Sequence, residues 1–200
     1  MRCFFHFLFL FLYIVFSAKH TLPRNLSYVK YSLKALNGVK LQNALIWRQC
    51  QCYERIMSVI EKTKDLNDLC ERLSGSDFIT IDTEFLRDKT YFPKLCLVQI
   101  SAPGQEAFAV DPLADGLDLA PLKDLLTSPD VTKVFHAARQ DLEIFYNHFG
   151  VVVAPIFDTQ VAAMVCGYGD SVGYQRLVQD ICETQLDKAH QFTNWAYRTL

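Results

Sequence analysis

Two hundred residues, half of them apolar, are enough to bury a sizeable core, and the length fits one domain plus extra sequence; a chain too short or too polar to fold is excluded. The formal net charge of −2 hides a split, since residues 1–56 hold eight Lys/Arg against one acid, Glu54, and residues 57–200 hold twelve against twenty-one. The seven cysteines are odd in number, scattered and without CxxC pairs, which argues against a disulfide framework or a zinc knuckle and fits buried free thiols in a reducing compartment.

The first stretch is the least regular. Phe4 to Phe16 is an apolar run interrupted by His6, with Arg2 before it and Ser17, Ala18 and Lys19 after it, the pattern of a short secretory core. Its thirteen residues fall short of the roughly 17 to 25 that a spanning helix needs. From Lys19 to Arg55 seven basic residues precede or flank a lone acid, as in organellar transit peptides. A third reading takes Met57 as the true start and residues 1–56 as translated upstream sequence. All three place residues 1–56 outside the folded domain, which then runs over 57–200.

From Met57 the pattern becomes regular. Leu66, Leu69 and Leu73 recur at helical spacing behind Asp65, read as the cap, and Ser74-Gly75-Ser76 ends the helix. Phe78 to Phe85 reads as a strand, Arg87 to Pro93 as a loop, and Leu95–Ser101 and Ala107–Val110 as two further strands, an antiparallel meander. Ala120 to Leu126 opens a helix with proline in its first turn, Lys133–Phe135 is a short strand, and Leu142, Phe145 and Phe149 mark the apolar face of another helix. The order predicts an α/β sandwich around a mixed sheet.

The chemistry is concentrated in acids. Strand side chains alternate faces, so Asp82 and Glu84 point the same way from a strand's C-terminal end. Two carboxylates held together repel, and oxygen ligands on a rigid strand suit a hard cation such as Mg2+ or Mn2+. The plainer alternative is a solvated turn at a strand end. Asp141 lies at the margin of its helix's apolar face, near the sheet edge where ligands bind in open α/β sheets, or else it simply complements a helix dipole. His136 by itself reads more readily as a structural histidine.

Ile81-Asp-Thr-Glu-Phe85, the strand Leu95–Ile100, Val110-Asp-Pro112, His136-Ala-x-x-x-Asp141-Leu-Glu-x-Phe145 and Phe157-Asp-Thr-Gln160 resemble, in order and spacing, ribonuclease D and the wider group of DEDD 3′-5′ exonucleases. The resemblance covers about residues 57 to 198. It implies a ribonuclease H-like three-layer sandwich with a mixed central sheet. Asp82 and Glu84 match the first-motif ligands of two Mg2+ or Mn2+ ions, and Asp141 the second-motif ligand. His136 then positions the terminal nucleotide, Phe85 stacks on a base, and Asp158 is structural, opening the next helix. The implied substrate is a single-stranded RNA 3′ end, tRNA precursors among them, with no small-molecule cofactor, no stable membrane partner and a cytoplasmic location.

One departure counts against full activity. Leu186 to Gln191 and Asn194-Trp195-x-x-Arg198 resemble the family's approach to its third motif, with Asn194 and Thr199 where Asp and Pro are usual. The motif's Tyr and Asp do not follow, so the fold is expected to be incomplete at the C-terminus and the nuclease impaired. A non-catalytic remnant binding metal or nucleic acid, and an exported or membrane-anchored protein, remain the alternatives.

Overall fold

The computed structural model describes residues 58–87, 91–103 and 105–182. They fall into two compact units, 58–159 and 160–182. The readings of residues 1–56 and of Leu186 to Thr199 lie outside the described residues.

The first unit runs β1 (Ser58–Ile60), α1 (Thr63–Ser74), β2 (Phe78–Leu86), β3 (Lys94–Ser101), β4 (Phe108–Val110), α2 (Ala120–Thr127), β5 (Thr132–Phe135), α3 (Arg139–Phe149) and β6 (Ile156–Asp158). Its six strands form one mixed sheet in the order β1-β4-β3-β2-β5-β6. The expected meander is there, with β2, β3 and β4 antiparallel. β5 pairs parallel to β2, and β6 parallel to β5. β3 is buried from Leu95 through Ser101, which is why it shows an almost continuous apolar run where a one-sided strand would alternate.

The sequence pattern did not reveal β1, which pairs parallel to β4 at the sheet edge. Three residues are too few to display a period of two, and a long-range pairing supplies their order. One local expectation is corrected. Helix α1 begins at Thr63 after Lys62, whose extended backbone provides no side-chain cap, and Asp65 sits inside the first turn. There its charge complements the helix dipole, a gain of about 0.3–1 kcal/mol.

Leu66, Leu69, Cys70 and Leu73 of α1 face the sheet together with Leu122, Leu125 and Leu126 of α2. They pack with Ile79, Ile81, Val98, Ile100, Phe135 and Phe145 in one core. Each such side chain contributes about 1.5–3 kcal/mol by leaving water. The ring of Phe145 lies 6.5 Å from that of Phe135 and 6.2 Å from that of Phe149, which seats α3 against the end of β5. Gly150, at φ 68°, closes α3 in a conformation that suits glycine.

Lys133 is fully buried at the start of β5. Its Nζ donates to the carbonyl oxygens of Ser128 (2.7 Å), Val131 (2.8 Å) and Ala154 (2.5 Å), tying the α2–β5 turn to the approach to β6.

The second unit holds α4 (Thr159–Val165) from Gln160 onward and α5 (Tyr174–Cys182). Ala163, Val172 and Leu177 form its small core, flanked by Tyr168 and Ile181. Among the described cysteines Cys70 and Cys96 are buried, as expected, whereas Cys166 is exposed. No described helix is long and apolar enough to cross a membrane.

Candidate active site

The site lies at the C-terminal end of β2. Asp82 stands opposite Gln99 of β3 and Glu84 opposite Leu97, and the register shifts in a bulge between Glu84 and Phe85. Strand alternation sends the Asp82 and Glu84 side chains to one face, and the bulge ends the regular pairing directly after them. Asp141 enters from the first turn of α3 and is 8% exposed. Thr83, between the two strand acids, donates its hydroxyl to Asp141 Oδ1 at 2.5 Å.

Asp82 feels both of the other carboxylates. Burial pushes Asp82 well above the usual carboxylate range, and the charges of Asp141 and then Glu84 push it further, against one backbone hydrogen bond from Thr83. Asp141 is pushed up to about 6, mainly by burial; its hydrogen bonds, the Thr83 hydroxyl first, oppose the rise, and Asp158 adds to it. Both shifts run in the same direction, toward the protonated acid.

His136 follows β5 directly and is half-buried, with Nδ1 2.8 Å from Thr159 Oγ1. Ala137, next along, adopts φ 59°, a left-handed conformation rare for a residue with a Cβ. The Asp158 carboxylate accepts hydrogen bonds from the Ala137 and Ala138 amides at 3.0 and 2.9 Å. Asp158 directly precedes the helix that opens at Thr159, as expected, and its carboxylate also serves the start of α3, the helix before it in sequence. Phe85 is half-buried and packs against the core. Arg87 pairs with Glu143 at 2.9 Å, an exposed contact between β2's end and α3 worth under about 1 kcal/mol.

The structure brings Glu84 and Asp141 within electrostatic reach of Asp82, and groups His136 with Thr159 and Asp158 at the base of α3. Sequence reasoning missed Thr83, whose side chain alternation assigns to the face away from Asp82. It also missed Gln99, 2% exposed opposite Asp82, whose Oε1 has no hydrogen-bond partner among the described residues. No local signal marks either, because both depend on which strand or helix lies alongside.

The donor set fits a divalent cation by its chemistry: hard oxygen ligands, on a rigid strand and one helix turn, whose raised proton affinities a cation would relieve. As placed, with Asp141 engaged by Thr83, no group of three or more His, Cys, Asp or Glu side chains among the described residues is already arranged to hold an ion.

The chain belongs to the 3′-5′ exonuclease family, whose model matches residues 57–200. Within that family its kinship is to ribonuclease D. The ribonuclease D of Acidiphilium cryptum is 56% identical over 142 residues, which cover 71% of this chain and 36% of that protein. The crystal structure of Escherichia coli RNase D, an exoribonuclease involved in structured RNA processing, superposes with a TM-score of 0.69 at 37% identity, covering 73% of this chain and 38% of that one. Brucella melitensis NrnC with bound Mg2+ gives a TM-score of 0.56 at 25% identity, covering 72% and 66%. The chain thus spans little more than a third of the ribonuclease D relatives it matches. The mixed-sheet α/β fold is that of the ribonuclease H-like exonucleases.

Proposed function

We propose that residues 57–200 are a ribonuclease D-type exonuclease domain that removes nucleotides from single-stranded 3′ ends of RNA, tRNA precursors among them, and that residues 1–56 stand outside it. What supports this reading is that Asp82, at the end of β2, feels the charges of both Asp141 and Glu84, in a family whose E. coli member is an exoribonuclease involved in structured RNA processing. Bound divalent cations, two Mg2+ or Mn2+, would supply Lewis acidity and charge neutralisation for phosphodiester hydrolysis. Asp82 and Glu84 would hold them from the rigid end of β2, and Asp141 would complete the set directly or through a water. Glu84 would also help to orient the attacking water. His136 positions the terminal nucleotide, and the exposed part of the Phe85 ring stacks on its base. The scattered, odd-numbered cysteines of the sequence, without CxxC pairs, support a reducing, cytoplasmic location.

The test is Mn2+-dependent trimming of single-stranded RNA carrying a label at one end or the other. The expected result is stepwise loss from the 3′ end, abolished in Asp82→Ala. Internal cleavage, or trimming indifferent to Asp82→Ala, would sink the proposal. The domain boundary has its own measure: a chain beginning at Met57 should melt at the temperature of the full chain, and a fall equivalent to about 1 kcal/mol, several degrees, would put residues 1–56 on the core.

A further inference from the structure

We infer that Asp158 and Thr159, at the end of β6, are the positioning residues of this site: together they fix the His136 ring in one tautomer and set the start of the helix that carries Asp141. The inference rests on the reading of His136 and Asp141 given above, and on contacts that reading does not use.

Thr159 is fully buried. Its hydroxyl has one proton, which it donates to the Phe135 carbonyl oxygen at 3.1 Å. Towards His136 Nδ1, 2.8 Å away, the same oxygen can then only accept. The neutral ring is therefore held with its proton on Nδ1, and the hydroxyl also fixes the plane in which the ring lies. Phe135 and Asp158 are register partners in the β5–β6 pair, so the backbone that delivers Thr159 is aligned by the sheet.

Asp158 acts on the two residues after His136. One carboxylate oxygen takes the Ala137 amide and the other the Ala138 amide. These charge-assisted bonds hold Ala137 in its left-handed conformation, which costs a residue with a Cβ free energy and persists where its surroundings impose it. The turn they fix is the only covalent link between His136 and α3, whose first turn bears Asp141. A movement of β6 would shift both residues at once.

The experiment uses the full chain labelled with 15N. In the wild type the neutral His136 ring should show a protonated Nδ1 and an unprotonated Nε2. Thr159→Val, which keeps the shape and removes the hydroxyl, should abolish that fixed pattern, and Thr159→Ser should restore it. Asp158→Asn replaces one acceptor oxygen with a donor, and amide exchange at Ala137 and Ala138 should quicken about 10-fold or more, with the β2–β3 amides unchanged. Its Mn2+ affinity should fall about 10-fold or more, as for other residues that orient metal ligands. Losing one solvent-screened charge would by itself cost only about 3-fold. A wild-type ring protonated on Nε2, or a Thr159→Val ring unchanged from wild type, overturns the tautomer assignment. Exchange within 2-fold of wild type, or an Mn2+ affinity lowered less than 3-fold, overturns the role of Asp158. Should Thr159→Val fail to fold, the wild-type ring pattern and the Asp158→Asn exchange rates still decide. Absence of Mn2+ binding by the wild type would instead defeat the reading of the carboxylates, while the ring and exchange data would still judge the clamp.

Discussion

Thr83 Oγ1 and Asp141 Oδ1 are 2.5 Å apart, a buried hydrogen bond joining β2 to the first turn of α3 across 58 residues of sequence. It supplies Asp141 with its strongest stabilisation as a carboxylate. Thr83→Val should lift the Asp141 pKa further above about 6 and cost about 1.5–3 kcal/mol at pH 7, the range for a hydrogen bond to a charged group. Urea unfolding at pH 7 measures the cost, and Thr83→Ser should recover most of it. A valine variant as stable as wild type would mean that the bond contributes nothing.

The raised acids set the direction of the pH dependence. For Asp141 the folded value of about 6 lies above the ordinary carboxyl value of 3.8, so between those values the folded chain binds more protons than the unfolded one. Stability from this group is full below about 3.8 and falls as pH rises through 6, and Asp82, also raised, acts in the same sense. Asp141→Asn should therefore raise the melting temperature at pH 7.5 and leave it nearly unchanged at pH 4. An equal shift at both values would contradict the linkage.

A cation binding these acids in the folded state should offset that loss. Mn2+ at about 100 times its dissociation constant would add about 2.7 kcal/mol at pH 7.5. Thermal melts with and without Mn2+ should show the gain in wild type and not in Asp82→Ala. A gain that survives Asp82→Ala would place the bound ion elsewhere.

Lys133 is an opportunity for a stability test away from the acids. Burial pushes its amine down to about 8, while three carbonyl oxygens favour the ammonium that donates to all of them. Lys133→Met fills similar space but strands those oxygens, and should cost about 3 kcal/mol. A methionine variant within about 0.5 kcal/mol of wild type would show that water replaces the ammonium.

Thiol reactivity should follow burial. Burial, and then the charge of Asp124, push the Cys70 thiol up to about 12, and Cys96 is buried, whereas Cys166 is exposed. Iodoacetamide on the folded chain should modify Cys166 well before Cys70 or Cys96, as read by peptide mass mapping. Comparable rates at the three would mean that the core opens freely.

Features that follow from local geometry are legible in the residues alone. The alternation of a strand puts Asp82 and Glu84 on one face, helical spacing puts Asp141 beside an apolar stripe, and the run of strand and helix patterns implies a mixed α/β sheet. Each follows from a period of 2 or 3.6 residues and needs no knowledge of neighbours. The tertiary structure decided everything that joins distant segments. It paired Ser58–Ile60 with β4, brought the Thr83 hydroxyl to Asp141, buried Lys133 under three carbonyls, and turned Asp158 back onto the amides before α3. A hydrogen bond between residues 20 or 58 positions apart leaves no periodic trace, since its geometry exists only once the sheet has set the strands side by side.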